Sequence, residues 1–349
     1  MSKARNINLD LMRFLGVLII MLAHADPPAW IHQLRNFGTP LLIVASALTY
    51  AIIYSNSEVA TGSFLRKRLT RLTVPAWIFL TLFFSVTFVA ADVLNKDYPF
   101  SAADIFETMT FYNGIGFVWI FKVYIMLALI TPWAVKFSHS TLSNSRYFGS
   151  LLCLYMVYEA AIHSVSQLVP QQMTSFFNTT VFVVIPYSLL YLYGLRLGRL
   201  NDAQILRVVA VSLLVFLVLM FVLFLETGEW VGTQKFKYPP TLYYLSYSFV
   251  GLNLVYLFCR RFKLRDGVLS SWVVWLSANS LWIYLWHILA YFFWASFLAG
   301  FGGEYFGFIL KGLFLLSFGI AVTYAQINII NHLCRVNTAI NQRIKFLLT

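Results

Sequence analysis

Charge is what this chain has least of. Only 11% of its 349 residues are Asp, Glu, Lys or Arg, against about a quarter in an ordinary soluble domain, and 60% are hydrophobic. That composition excludes a soluble domain with a solvated surface. With a mean hydropathy of +0.75, the chain reads as a polytopic membrane protein. A bilayer offers the backbone no hydrogen-bond partners, so its spans must be helices. Acid is scarcer still: 13 Asp and Glu stand against 25 Lys and Arg, a net charge of +12. The basic residues sit between apolar runs and track membrane orientation, so no nucleic-acid partner is expected. Cysteine is also short. Cys153, Cys259 and Cys334 lack metal-ligand or redox spacing, so all three read as unpaired and no metal site is expected. Ser/Gly linkers, charge runs and low-complexity segments are missing too. Residues 1–349 therefore read as a single integral-membrane domain without an appended soluble one.

What is present is a series of apolar runs, roughly 9–25, 38–55, 74–92, 117–135, 147–164, 179–196, 206–225, 242–259, 276–298 and 307–330. The fold class expected is all-α, a transmembrane helical bundle of about ten spans. Lys and Arg concentrate in alternate connections: Arg66, Lys67, Arg68 and Arg71; Arg196, Arg199 and Arg207; Arg260, Arg261, Lys263 and Arg265; Arg343 and Lys345. The opposite loops carry only Arg35, Lys96, Lys235 and Lys237 with most of the acids. By the positive-inside rule both termini are cytoplasmic.

The most informative run is Asn6 to Asp26, with Arg13 and His24 ten residues apart and Asp10 just before them. On a helix, eleven steps make three turns plus about 20°, so the two side chains share a face with a rise of about 16 Å. One reading is structural: Arg13 snorkels to one interface and His24 sits at the other. The other is functional, because ionisable groups inside spans mark sites. Lys3, Arg5, the run and Ala23-His24-Ala25 also imitate a cleaved signal peptide. Asp10, Arg13 and the spans that follow argue against cleavage.

Five further stretches are candidates for chemistry. Arg68 and Arg71 are helix-spaced beside Pro75 and at the inner face, where positive-inside charge competes with phosphate recognition by two planar guanidiniums. The long outer loop Val93 to Gly116 is acidic and aromatic, suited to a sugar surface or to an interfacial belt. Glu159 and His163 at i, i+4 are either a pathway or a structural pair. Near the end, Ser277-Ala-Asn279-Ser280-Leu-Trp282-Ile-Tyr284-Leu-Trp286-His287 puts Tyr284 and His287 on one face. The polar stretch Glu226 to Pro240 falls outside and is a candidate rim for an acceptor.

Leu9-Asp10-Leu-Met-Arg13 through His24, the Arg68-x-x-Arg71 pair before Pro75, Trp119 thirteen residues before Pro132, and Ser277 to His287 together resemble, in order, the bacterial acyltransferase-3 family. These are membrane O-acyltransferases that modify surface polysaccharides. One departure is Ser46-Ala47, where the family usually reads Ser-Gly. The resemblance implies transfer of an acyl group, commonly acetyl, from cytoplasmic acyl-CoA to a hydroxyl of an exported or lipid-linked glycan at the inner membrane. Acyl-CoA would be a donor substrate, with no cofactor bound permanently. Carried onto this sequence, it implies catalytic roles for His24 and Arg13. It implies donor binding by Arg68, Arg71 and Arg13, with Asp10, Trp119, Glu159, Tyr284 and His287 as candidate substrate-lining residues. A histidine that titrates at about 6.5 suits a general base, and an acyl-histidine is a covalent alternative. A transporter or glycan flippase is the alternative class, against which stand the separation of Arg13, Arg68 and Arg71 from His24 and the lack of recognisable inverted repeats.

Overall fold

Proline and asparagine set where the helices stop. The first helix, α1, covers Ile7–Ala23 and ends before Pro27-Pro28, with Asp26 at φ 55° turning the chain. His24 is therefore the first residue beyond the helix rather than its last turn. Proline excludes the helical conformation from the residue before it, so the expected run to residue 25 closes early.

The computed structural model describes residues 6–336 apart from 169, 263 and 266. Lys3, Arg5, Lys263, Arg343 and Lys345 thus lie outside the described residues. After α1 come α2 (Ala29–Leu34), α3 (Gly38–Ile53), α4 (Thr61–Val93), α5 (Ala102–Met109), α6 (Trp119–Ser138), α7 (Asn144–Leu168) and α8 (Gln171–Phe176). A π-turn at Phe177–Val181 leads into α9 (Phe182–Leu197), followed by α10 (Asp202–Thr227), a 3-10 turn at Thr233–Phe236, α11 (Leu242–Arg261), α12 (Val268–Ala278), α13 (Ser280–Phe297) and α14 (Gly303–Val336). There is no strand among the described residues. The all-α polytopic architecture expected from the sequence is present.

Eight segments are long and apolar enough to cross a bilayer: Ala29–Ile53, α4, α6, Phe177–Leu197, α10, α11, α13 and α14 through Arg335. The other two of the ten expected runs are helical but fall short. α1 has 17 residues, the lower edge of a crossing, and α7 is diluted by Asn144, Arg146, Glu159 and Gln167. Two boundaries differ from expectation. The basic stretch Phe64 to Leu72 is the opening of α4 rather than a loop. At 33 residues, α4 is about 50 Å long, beyond a hydrocarbon core of about 30 Å. The run at 276–298 is broken at Asn279, whose backbone leaves helical geometry at φ −101° and ψ 11°, so Ser277 belongs to α12 and His287 to α13.

The chain forms two compact units. The first comprises the residues up to Ala23, Pro27–Val59 and Thr131–Ser277; the second comprises His24–Asp26, Ala60–Ile130 and the residues from Ala278 on. In the first unit, α3 is the central helix and packs on α1, α9 and α11. Leu41, Ile43, Val44, Ala45 and Ala47 are all fully buried on it. Close approach depends on small residues, as helix pairs in membranes do. A methyl placed on Gly16 of α1 would fall 2.6 Å from Leu42, and one on Gly194 of α9 would fall 2.7 Å from the Cβ of Ala47. Ala47 stands where the resemblance expects glycine; here the glycine is on the facing helix. Arg196, an inner-face charge in the sequence reading, is instead 1% exposed. It donates to the carbonyls of Ser138, Ser140 and Leu142 at 2.7–2.8 Å and lies 4.0 Å over the Tyr147 ring, fastening the α6–α7 turn. In the second unit, α13 packs between α4 and α14, with Phe79 edge-on to Trp286 at 5.5 Å and Phe83 against Phe292 at 5.1 Å.

Candidate active site

In the second unit His24 meets the middle of α13. Its Nδ1 lies 2.8 Å from Nε2 of His287, and the two rings stack with centroids 5.0 Å apart. His287 is fully buried, and its Nδ1 faces the carbonyl oxygen of Tyr284 one turn earlier. That carbonyl can only accept, so a neutral His287 carries its proton on Nδ1 and offers the Nε2 lone pair. His24 must then donate from Nδ1, which makes Nε2 the basic nitrogen of the His24 ring. Tautomer and ring orientation are thus both set by α13. Phe117 closes one side, edge-on to His24 at 4.6 Å, with Tyr291 at 6.4 Å. Phe117 is itself held by its carbonyl, which accepts from Tyr284 Oη at 2.8 Å.

A second polar group stands beside these rings. Lys311 of α14, 4% exposed, donates to Asp26 at 2.6 Å and lies 4.3 Å over the Tyr291 ring. The sequence reading missed this pair. Asp26 and Lys311 are 285 residues apart, and Lys311 looks like one interruption of a long apolar helix. A lone lysine near the start of an apolar run was the only available signal.

Arg68 and Arg71 lie in the same unit, in the opening turns of α4. Arg71 is exposed and Arg68 half-buried, 6.0 Å over the Tyr124 ring. They are i, i+3 neighbours, and Phe79, which packs on Trp286 of α13, follows eight and eleven residues later, about 12–17 Å along the helix axis. Trp119 is half-buried where α6 begins.

Asp10, Arg13 and Glu159 belong to the first unit. Arg13 donates to Thr49 Oγ1 at 2.7 Å and Ser277 Oγ at 3.3 Å and pairs with Asp10 at 3.6 Å. Asp10, 3% exposed, accepts from Ser277 Oγ at 2.7 Å. Asp10, Arg13, Thr49 and Ser277 form one network joining α1, α3 and α12. Glu159 accepts from Tyr155 Oη at 2.7 Å and from the backbone N–H of Leu242 at 3.3 Å. That N–H is the first of α11, whose own N-cap Thr241 makes no side-chain cap bond, so a carboxylate on α7 takes over the capping role. The side chain of His163 lies outside the described residues. In the outer loop, which belongs to the second unit, Ser101 and Asp104 form the capping box of α5. Phe100 packs among Phe83, Phe84 and Phe292, and Phe111 stacks on Trp77 and Phe121. Among the described residues no group of His, Cys, Asp and Glu could hold a metal ion.

The sequence model of the family described as "acyltransferase domain", Acyl_transf_3, matches residues 6–326. The chain belongs to the acyltransferase-3 family. That span covers most of both units and every candidate site residue discussed above, and it makes the protein a multi-pass membrane acyltransferase. No curated protein and no solved structure matches the chain.

Proposed function

We propose that this acyltransferase-3 member is an O-acyltransferase of the bacterial inner membrane. It moves an acyl group, acetyl in the first instance, from cytoplasmic acyl-CoA to a hydroxyl of an exported or lipid-linked cell-surface glycan. The observation that carries the reading is the bond sequence Tyr284 C=O, His287, His24, which prepares His24 Nε2 as a base in a chain of this family. Nε2 takes the proton of the sugar hydroxyl as its oxygen attacks the thioester carbonyl. A C–O bond forms, the C–S bond breaks, and the coenzyme thiolate leaves with the proton that His24 had taken. A buried ammonium is the group that stabilises a developing oxyanion, and Lys311, held by Asp26 beside Tyr291, supplies one.

Arg68 and Arg71 are the donor anchor in this reading. Their guanidiniums suit the pyrophosphate and 3′-phosphate of coenzyme A. Their distance along α4 from Phe79 and Trp286 is what an extended pantetheine arm spans. Arg13 is assigned a positioning role through Asp10, Thr49 and Ser277 rather than contact with the donor. The deciding experiment incubates purified protein with acetyl-CoA and a panel of glycans, following release of free thiol. Thiol release that depends on both a glycan and His24 supports the reading. Glycan-independent release, or none across acyl chain lengths, refutes it.

A further inference from the structure

The strongest feature away from His24 lies in the first unit, where the end of α2 and the residues just after it meet the loop before α11. Neutral hydrogen bonds join the two segments. Gln33 Oε1 accepts from Thr233 N at 2.9 Å and from Thr233 Oγ1 at 3.1 Å, and Asn36 Nδ2 donates to Thr233 Oγ1 at 2.9 Å. Tyr247 Oη donates to the Leu34 carbonyl at 2.9 Å and Tyr243 Oη to that of Val231 at 2.8 Å. These contacts hold two cations largely out of water: Arg35 is 9% exposed and Lys237 8%. Each repels the other, and both act on His32. Arg35 Nη2 donates to His32 Nε2, yet Arg35 Nε and Gln33 Nε2 are buried donors, and Asn36 Oδ1 a buried acceptor, with no hydrogen-bond partner among the described residues. No ion pair among the described residues involves Arg35.

Bringing like charges together in a low-dielectric place, with donors left unused, works against folding. The arrangement is the complement of one missing group, an oxyanion. A guanidinium presents a fork of donors to phosphoryl oxygens, an ammonium adds a point charge, and an amide supplies a neutral donor. We propose that Arg35, Lys237 and Gln33 Nε2 form a binding site for a phosphate-class oxyanion. The proposal does not depend on the role of His24. Burial, with Arg35 adding to it, pushes the Lys237 ammonium down to about 7, and a bound anion would restore it to full charge.

The same chemistry could come from soluble phosphate or from the headgroup of an anionic lipid, and two arms distinguish them. The full chain in neutral detergent is titrated with inorganic phosphate, and separately with phosphatidylglycerol doped into the micelles, while its thermal midpoint is followed. The expected result is a saturable rise in one arm, with the apparent Kd weakened at least about tenfold in Arg35→Gln and in Lys237→Met and unchanged in the exposed neighbour Lys235→Gln. Response to inorganic phosphate assigns a soluble phosphoryl group; response only to phosphatidylglycerol assigns a lipid. Should a variant fail to fold, wild-type protein suffices: the effective ligand should protect Lys237, but not Lys235, from an amine-acylating reagent read by peptide mass. No shift with either ligand, a shift that persists in both variants, or equal modification of Lys237 with and without ligand overturns the proposal.

Discussion

Replacing His287 separates positioning from proton transfer. In the structure its Nε2 takes the Nδ1 proton of His24 at 2.8 Å, and its own Nδ1 proton goes to the Tyr284 carbonyl. His287→Ala removes the acceptor that holds His24 in one tautomer and one orientation. A neutral hydrogen bond is worth about 0.5–1.5 kcal/mol net, and each 1.36 kcal/mol of barrier is tenfold in rate. Loss of that bond alone should therefore lower kcat by about 2–13-fold. Freedom of the ring to turn extends the loss toward a hundredfold. That is smaller than removal of the base, which costs about 10²–10⁴-fold. Stability should fall as well, because a fully buried ring leaves the Tyr284 carbonyl without its donor, at about 1–3 kcal/mol. His287→Gln is the discriminating variant: its Oε1 can accept from His24 Nδ1, so kcat should return to within about threefold of wild type. The assay is thiol release at saturating donor and acceptor, paired with a thermal midpoint in detergent. If well-folded His287→Ala is as inactive as His24→Ala, His287 is the base and the proposed order of the two rings is wrong. If it keeps full activity, the bond sequence has no role.

Three more outcomes are expected. His24→Ala should lose at least about a hundredfold in transfer while retaining acyl-CoA binding, and His24→Gln should not rescue it; wild-type transfer would remove the base assignment. Arg68→Ala and Arg71→Ala should raise the donor KM more than the acceptor KM, with lysine rescuing only in part; an unchanged donor KM in both leaves them as orientation charges. A phosphatase that works only outside the cytoplasm, fused after Thr349, should be silent, and an active fusion would reverse the charge-derived topology.

The helical class, the family and the two separate motifs that carry His24 and His287 were legible because each rests on local pattern: apolar runs, basic connections, and short signatures whose order survives folding. Contacts between distant residues were not. Nothing in the sequence couples Asp26 to Lys311, or Arg35 to Lys237, since each side chain is a lone charge in its own segment. Glu159 illustrates the limit well. An acid one turn from a histidine invites a proton pathway, yet its oxygens are used by Tyr155 and by the first N–H of α11, a partner 83 residues away. Arg196 misleads in the same way, because inner-face charge and a buried carbonyl clamp look identical until the turn it fastens is seen. Helix ends failed where one residue outweighed the apolar pattern: Pro27 stopped α1 before His24, and Asn279 divided α12 from α13.

The Arg13-to-His24 spacing reads differently once these ends are known. As a helix face it would measure the distance between a donor anchor and a base. In the structure Arg13 belongs to one compact unit and His24 to the other, and the Arg13 guanidinium already engages Thr49, Ser277 and Asp10. Asp10 is in turn held by Ser277, a residue of the late motif. The two most recognisable signatures of the family therefore interlock twice, through Asp10 and Arg13 with Ser277 in the first unit and through His24 with His287 in the second. With the Arg13 side chain 28% exposed, its charge-assisted bonds are worth less than the full ~1.5–3 kcal/mol each, but a lysine cannot reproduce a fork aimed at three oxygens. An inactive Arg13 variant consequently reports on α1, α3 and α12 as much as on chemistry. It speaks for catalysis only if the thermal midpoint is kept while kcat falls.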